Sequence, residues 1–178
     1  MALFGVCCIG LIILFILGAL SPDSMIPGNS SESKIYENEY ISFKYPESFV
    51  DISFFYYHGD GEYLFYSMFV DFEENGMIVS CEEIEASQVP TFLDEYRDYV
   101  NSLQRDEVKN FTIEKIDFKG IPSIKIIDEM YKENEGGKYR LSVAFIHNDK
   151  FYLFYFGSNN LSTLNHYYDL LKSSITLK

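Results

Sequence analysis

The segment at residues 2–20 constrains this chain more than any other, because it contains no charged, Asn or Gln residue. Nineteen helical residues rise about 28 Å at about 1.5 Å per residue, close to the hydrocarbon thickness of a bilayer, about 30 Å. The sequence therefore predicts one uncleaved transmembrane helix over residues 1–20, which anchors the rest of the chain at a membrane.

Three other interpretations compete for this segment. A cleaved signal peptide usually has a basic n-region before its apolar core, and here no Lys or Arg precedes the run. A lipoprotein needs its modified Cys after the apolar run, whereas Cys7 and Cys8 lie near its start. A buried core helix fits poorly because the segment is apolar on all faces. We favour the uncleaved anchor, and the signal peptide is the alternative that stays open.

The orientation of the anchor rests on few charges. The positive-inside rule counts Lys and Arg near the ends of a membrane helix, and the first one after this segment is Lys34. The free N-terminal amine and the short N-terminal tail favour a cytoplasmic N-terminus. We therefore expect a single-pass protein of the cell membrane with an extracytoplasmic C-terminal domain.

The rest of the chain divides into a linker and a domain. Residues 21–34 include five Ser, two Pro and one Gly, a composition typical of a flexible linker, and residues 35–178 form the domain. All 27 acidic and 14 basic residues follow Leu20, so the net charge of −13 belongs to this soluble part. Such a charge repels phosphate backbones and anionic headgroups, which excludes nucleic acid as a partner.

The domain begins with a run of predicted strands. Apolar residues alternate from Ile41 to Tyr45, and Pro46 ends the pattern, as in a half-buried strand. Turns containing Gly, Asn or Asp separate the other predicted strands, which cover 52–57, 63–72, 77–86, 111–118, 123–131, 139–146 and 151–156. The last of these, FYLFYF, does not alternate, so we expect both of its faces to be covered.

Two helices interrupt and close this series of strands. The first is predicted to start at a capping box, Thr91 to Asp94, and to present the apolar stripe Phe92, Tyr96, Tyr99, Val100 and Leu103. The second covers 162–174, is capped by Asn160 or Ser162, and presents Leu164, Tyr167, Tyr168, Leu171 and Ile175. This order without βαβ alternation predicts an α+β fold, an antiparallel sheet packed by helices.

The combination of anchor, Ser-rich linker, ISFKYPESF strand, helix, four-strand meander and closing YYDLLKSSI helix resembles the PsbP-like domains of prokaryotic surface proteins, which are similar to DcrB-type lipoproteins. The resemblance covers residues 36–177 and rests on packing features. It implies a layered α/β/α sandwich around an antiparallel sheet. Because such folds serve unrelated functions, the resemblance implies no particular activity.

Candidate chemistry is sparse along the domain. Cys81 is the one cysteine outside the anchor, and its acidic neighbours favour a packed strand residue over a reactive thiol. The histidines His58, His147 and His166 are far apart and lack ligand spacing. The weak candidates for a metal site are acids near two turns: Asp60 with Glu62, and Asp71 with Glu73 and Glu74. Most Phe and Tyr residues are expected in the core.

Asn29, Asn110 and Asn160 begin N-x-S/T sequons and are candidates for N-glycosylation in an exported domain. The sequence has no G-x-S-x-G, S-x-x-K, G-x-x-x-x-G-K or G-x-G-x-x-G motif, so it predicts neither a catalytic residue nor a cofactor. We therefore expect a non-catalytic domain that binds or stabilises an envelope protein. The alternatives are a surface hydrolase or metal-dependent enzyme with a carboxylate-lined cleft, and a cation or solute sensor.

Overall fold

The computed structural model describes residues 33–53, 63–71, 75–102, 108–131 and 137–178. Its elements in chain order are β1 (Ser33–Glu37), β2 (Ile41–Pro46), β3 (Val50–Asp51), β4 (Phe65–Val70), β5 (Gly76–Glu83), α1 (Val89–Ser102), β6 (Val108–Phe118), β7 (Ile121–Met130), β8 (Tyr139–His147), β9 (Lys150–Ser158), α2 (Leu161–Ser174) and β10 (Thr176–Leu177). The predicted α+β class is confirmed. The predicted anchor and nearly all of the predicted linker lie outside the described residues.

Seven strands form one antiparallel sheet in the order β3-β4-β5-β9-β8-β7-β6. β9 lies at its centre, between β5 and β8, and is paired along its whole length with both. Its side chains are buried on both faces of the sheet, with Phe151 on one face and Phe154 and Phe156 on the other. The prediction that both faces of this strand are covered is confirmed.

One face of this sheet is covered by α1. Val100 is buried against Ile124 and Ile126 of β7, and the rings of Phe92 and Tyr96 lie 5.0 and 5.1 Å from that of Phe151. Ala144 of β8 belongs to the same layer, whereas its neighbour Val143 faces the opposite side. The helix therefore covers the half of the sheet formed by β6 to β9.

The opposite face of the sheet holds the main core, under α2 and the small sheet. The predicted stripe of α2 is confirmed, because Leu164, Tyr167 and Leu171 are buried there, and Ile175 follows them. Aromatic rings dominate this core, as predicted, and the largest fully buried side chains include Tyr152, Phe43, Phe49, Phe69, Phe118, Phe145, Phe154 and Phe156. Each of these stabilises the fold by about 3 kcal/mol through the burial of apolar area.

A second sheet of three strands, in the order β1-β2-β10, joins distant parts of the chain. β2 pairs with β1 from Ser33↔Pro46 to Glu37↔Ser42 and with β10 at Thr176↔Ser42 and Leu177↔Ile41. β1 and β10 were not predicted, and β1 includes Ser33 and Lys34 from the predicted linker.

The turn predicted at Asn148-Asp149 has the expected geometry, whereas the turn predicted over 120–122 lies one residue earlier, because Ile121 and Pro122 already belong to β7. Asn148 and Asp149 link β8 to β9 with φ angles of 51° and 55°, which is a two-residue hairpin of type I′. Lys119 and Gly120 link β6 to β7 with φ angles of 58° and 84°. Both turns bring sequence neighbours together as antiparallel strands.

Several boundaries differ from the prediction. The capping box at Thr91 is wrong, because α1 begins two residues earlier, at Val89, and the Thr91 hydroxyl donates to the carbonyl oxygen of Gln88 at 3.4 Å. Pro90 explains the early start, since its fixed φ suits the first turn of a helix. Tyr99 is 62% exposed rather than packed, and Leu103 lies outside the described residues.

The strand predicted over 52–57 is also wrong where the structure describes it: the strand there is β3, which ends at Asp51. Its remaining predicted residues, 54–57, are among those that are not described. In the described ranges, neither helix is long and apolar enough to cross a membrane.

Candidate functional site

A groove of about 360 Å³ lies between the first half of α1 and the neighbouring sheet edge. Its apolar walls include Val89 and Leu93 from α1, Ile124 from β7 and Ile146 from β8. Two exposed prolines, Pro90 and Pro122, stand at its mouth. The volume is at the lower end of the range that ligand-binding clefts occupy.

The groove exists because α1 packs on the sheet through its inner stripe. Phe92 and Tyr96 reach Phe151, and Val100 reaches Ile126, so the helix is held along its length. The start of α1 passes over the strand ends near Pro122 and Ile146, where the space is not filled. An apolar recess therefore opens beside a firmly packed helix.

Charged side chains line the rim of the groove. The Lys115 ammonium lies 2.6 Å from the Asp94 carboxylate, and Arg97 lies 3.0 Å from the same carboxylate. The hydrogen bond from Lys115 holds the pKa of the Asp94 carboxyl below its usual range, and the charges of Lys115 and Arg97 act in the same direction. These groups are more than half or about one-third exposed, so the pairs contribute little to stability and serve mainly to border the apolar walls.

Of the five candidate metal ligands, only Asp71 is among the described residues. Its carboxylate accepts hydrogen bonds from the backbone N–H of Asn75 at 2.9 Å and from the Asn75 side-chain amide at 2.7 Å. Asn75 is itself buried, and its side-chain oxygen accepts a hydrogen bond from the Ser158 hydroxyl at 2.6 Å. Asp71 therefore ties the ends of the β4–β5 connection to the end of β9.

The other four candidates, Asp60, Glu62, Glu73 and Glu74, lie outside the described residues, as does His58. Within the described ranges, no three His, Cys, Asp or Glu side chains come together as a metal site. His147 ends β8 and His166 lies on the exposed side of α2, so the structure places them on different elements.

Cys81 lies in β5 and is completely buried, as predicted for a packed strand residue. Burial raises the pKa of its thiol to about 11, and a hydrogen bond with the Tyr152 hydroxyl opposes this rise only in part. Burial also raises the pKa of Tyr152 well above its ordinary value. At neutral pH both groups are protonated, and the thiol is a core side chain.

Two of the three sequon asparagines are described, and both are exposed. The Asn110 amide, on the edge strand β6, donates to the Glu129 carboxylate, which also pairs with Lys109 at 2.9 Å. Asn160 caps α2, and its side-chain oxygen accepts hydrogen bonds from the N–H and the hydroxyl of Ser162. Asn29 lies outside the described residues. Glycosylation of all three remains a prediction.

The groove itself was not predicted from the sequence. Its residues are far apart along the chain, and each fits an ordinary strand or helix pattern. The only local signal is a pair of prolines, Pro90 and Pro122, at the start of α1 and near the start of β7. Proline at these positions is equally common where no groove exists.

No protein-family model and no curated protein matches this sequence. Among solved structures, the chain is similar to the solution structure of cyanobacterial PsbP (CyanoP) from Synechocystis sp. PCC 6803. The TM-score is 0.56 at 14% sequence identity, and the match covers 88% of this chain and 99% of that one. The chain therefore has the PsbP-like fold that its sequence predicted, and at this identity the likeness extends to the fold alone.

Proposed function

We propose that this chain is a non-catalytic, membrane-anchored, extracytoplasmic domain that binds a partner protein at the cell envelope. The observation that carries the proposal is the groove beside α1, where apolar walls are bordered by the Asp94–Lys115 pair. An apolar centre with a charged rim is the usual anatomy of a protein–protein contact. The occupant that fits is an apolar side chain that a partner protein inserts between Leu93 and Ile146.

The membrane part of the proposal rests on the sequence. Residues 2–20 have the length and composition of a membrane-spanning helix, and residues 21–32 give the domain reach from the bilayer. The net charge of −13 keeps the domain away from anionic headgroups. Its groove is then available to proteins rather than to the lipid surface.

Site-specific photocrosslinking tests the partner. A benzophenone side chain at Pro122, in the full-length protein in its own membranes, is expected to give discrete adducts with one envelope protein. The same probe at Ser173, an exposed position on α2, is the matched control and is expected to give none of them. Adding Lys115→Glu to the Pro122 probe should reduce the adducts severalfold, because it replaces a rim cation by a second acid beside Asp94.

Identical adducts at Pro122 and Ser173, or no adduct at Pro122, would show that the groove is not the contact. No observation on the described residues specifically favours either alternative, the hydrolase or metal-dependent enzyme or the cation or solute sensor. The sensor would be favoured if a small solute, added before irradiation, reduced the reaction of the Pro122 probe and no protein adduct formed.

Anchoring and orientation have their own measurement. Carbonate-washed membranes should retain the full-length protein, and protease added to intact cells should remove its C-terminal domain. Release by carbonate would rule out the anchor. Protection of the domain in intact cells would reverse the orientation.

A further inference from the structure

The outer edge of the large sheet is formed by β6, which has 11 residues and is the longest of the described strands. Among the described strands it pairs only with β7, so its outer side continues no ladder. A long strand at a sheet edge is a template for pairing with another chain. More than half of its side chains are exposed, namely Lys109, Asn110, Thr112, Glu114, Lys115 and Asp117.

A bulge and several charges limit what can pair with this edge, as they do at many sheet edges. The extra residue of the bulge is Lys109, and its ammonium reaches back to Glu129 of β7 at 2.9 Å. The regular part of the strand covers residues 110–118 and contains three charged side chains, Glu114, Lys115 and Asp117. A partner strand is compatible only where it places no like charge opposite them.

A second copy of the chain can offer its own β6 to this edge. Two identical strands pair in antiparallel orientation about a two-fold axis perpendicular to the sheet. Directly opposite residues share a face of the sheet, so the residue at the centre of the pairing lies opposite itself. Three registers pair at least seven residues of the regular part on each strand, and their centres are Ile113, Glu114 and Lys115.

Of these three registers, only the one centred on Ile113 avoids like charges. The other two place either two Glu114 carboxylates or two Lys115 ammonium groups directly opposite each other, which destabilises a strand pair. With Ile113 at the centre, residues 110–116 of the two strands pair, and Thr112 lies opposite Glu114 on both sides of the centre. The charges of β6 therefore select one register for pairing with its own copy.

The same two-fold axis suits two chains that are anchored in one membrane. β1 begins at Ser33 in the small sheet, which lies on the face of the large sheet opposite α1. An axis perpendicular to the sheet keeps that face on the same side in both copies. Both Ser33 residues therefore lie on one face of the joined sheet, from which residues 21–32 can lead to the same bilayer. α1 and its groove lie on the other face in both copies.

We propose that β6 is a homodimer contact, in which the β6 strands of two copies pair antiparallel with Ile113 opposite Ile113 and join the two large sheets into one. The occupant of the edge is a second copy, because this is the longest pairing of β6 with itself that is free of like charges. The contact uses the sheet edge, so the proposal does not depend on a partner protein in the groove.

Disulfide formation tests the register in the full-length protein, with Cys7 and Cys8 replaced by Ala and uncharged micelles in excess. The protein is made in a bacterial host without N-glycosylation, since a glycan on Asn110 would stand on this edge. Ile113→Cys should form a disulfide-linked dimer on mild oxidation, because directly opposite residues have Cα atoms about 4.5–5.5 Å apart.

Thr112→Cys is the matched control for random collision. Thr112 is exposed and Ile113 is half-buried, so collisions alone would link Thr112→Cys faster. In the proposed register the two copies of residue 112 are diagonal neighbours, about 7–8 Å apart and outside the usual range for a disulfide. We therefore expect Ile113→Cys to link clearly faster than Thr112→Cys.

An exchange of two exposed residues tests the pairing without changing Ile113. Sedimentation equilibrium at low salt measures the dimer affinity of the full-length protein in the same detergent. Thr112→Glu places a glutamate opposite Glu114 on both sides of the centre and should weaken the dimer about fivefold. Adding Glu114→Thr to this variant again places one hydroxyl opposite one carboxylate, and should restore the affinity to within about twofold.

The proposal would be overturned by a protein that stays monomeric at every concentration, or by Thr112→Cys linking as fast as Ile113→Cys. It would also be overturned if Thr112→Glu kept the full affinity, or if the exchanged pair did not recover what Thr112→Glu lost. In native membranes, a disulfide from Ile113→Cys to a different protein in place of the dimer would assign the edge to that protein. Circular dichroism checks each fold, and if Ile113→Cys is unfolded the exchange decides alone.

Discussion

Two glycines with the same backbone conformation have different surroundings. Gly137 has a φ of 80°, and a Cβ built on it would lie 2.7 Å from the backbone N and C atoms of Ser158. Gly120 has a φ of 84° and nothing within 4 Å of its Cβ position. We expect Gly120→Ala to lower the free energy of unfolding by about 1–2 kcal/mol, the cost of a left-handed Ala.

Gly137→Ala should lower that free energy by at least about 3 kcal/mol, because it also displaces the end of β9. Urea unfolding of the full-length protein, followed by circular dichroism, measures both variants. Equal losses would show that the close approach of Gly137 to Ser158 does not hold in solution.

The buried thiol of Cys81 gives the fold an alkaline limit. Its pKa is raised to about 11 in the folded protein, from 9.0 for an unperturbed thiol. Its contribution to stability is therefore complete below about pH 9 and is lost as the pH rises through 11. Two pKa units correspond to at most about 3 kcal/mol.

Urea unfolding at pH 8, 9.5 and 11 should show a steeper loss of stability for the unmodified protein than for Cys81→Ser, whose hydroxyl does not ionise in this range. Tyr152 titrates in the same direction, so some loss should remain in the variant. Parallel curves would show that Cys81 is not the responsible group.

Side-chain environments were predictable where one pattern set them. Cys81 follows the alternation of its strand, and it is buried as expected. The prediction for Tyr99 was wrong because the packed side of α1 is set by Val89, Leu93, Tyr96 and Val100. Tyr99 lies roughly 90° around the helix from the centre of that side. A spacing of seven from Phe92 could not reveal where the sheet touches the helix.

The start of α2 offers a test of helix capping. The Asn160 side chain accepts a hydrogen bond from the N–H of Ser162 at 2.8 Å and caps the helix. Asn160→Ala should cost about 1 kcal/mol in urea unfolding, whereas Asn160→Asp keeps an acceptor and should stay close to the unmodified protein. Both substitutions remove the sequon, so an equal change in both would point to a lost glycan instead of a lost cap.

A helix or strand was predictable when the sequence pattern of its own residues indicated it. β9 is rich in aromatics without alternation, which indicated a strand covered on both faces. β1 and β10 are short strands of five and two residues, and they become strands only through pairing with β2. The groove was equally hidden, because it depends on how α1 crosses the ends of β7 and β8 and on no single element.

The whole molecule carries an excess of 13 negative charges, so its folded state is under net electrostatic repulsion. Raising NaCl from 20 to 500 mM shortens the screening length from roughly 20 Å to about 4 Å. The same salt weakens exposed pairs such as Lys178 with Glu37, but these are few and contribute little. We expect the melting temperature of the full-length protein to rise by several degrees.

Differential scanning calorimetry in NaCl and in KCl of equal ionic strength measures this rise and separates screening from ion-specific effects. A melting temperature that falls as salt is added would mean that attractive pairs outweigh the repulsion. A rise seen with only one of the two salts would indicate specific ion binding.

The small sheet has a consequence for the order of events during synthesis. β2 pairs on one side with β10, from the end of the chain. The N–H of Lys44 also donates to the hydroxyl of Ser174, which is 130 residues away in sequence. The layer of α2 and β2 therefore cannot assemble while the intervening chain is still being made. Contacts of such long sequence separation form slowly, because they require the closure of a large loop. During synthesis, this layer is therefore the last part of the fold to close, after the strands of the large sheet have been made.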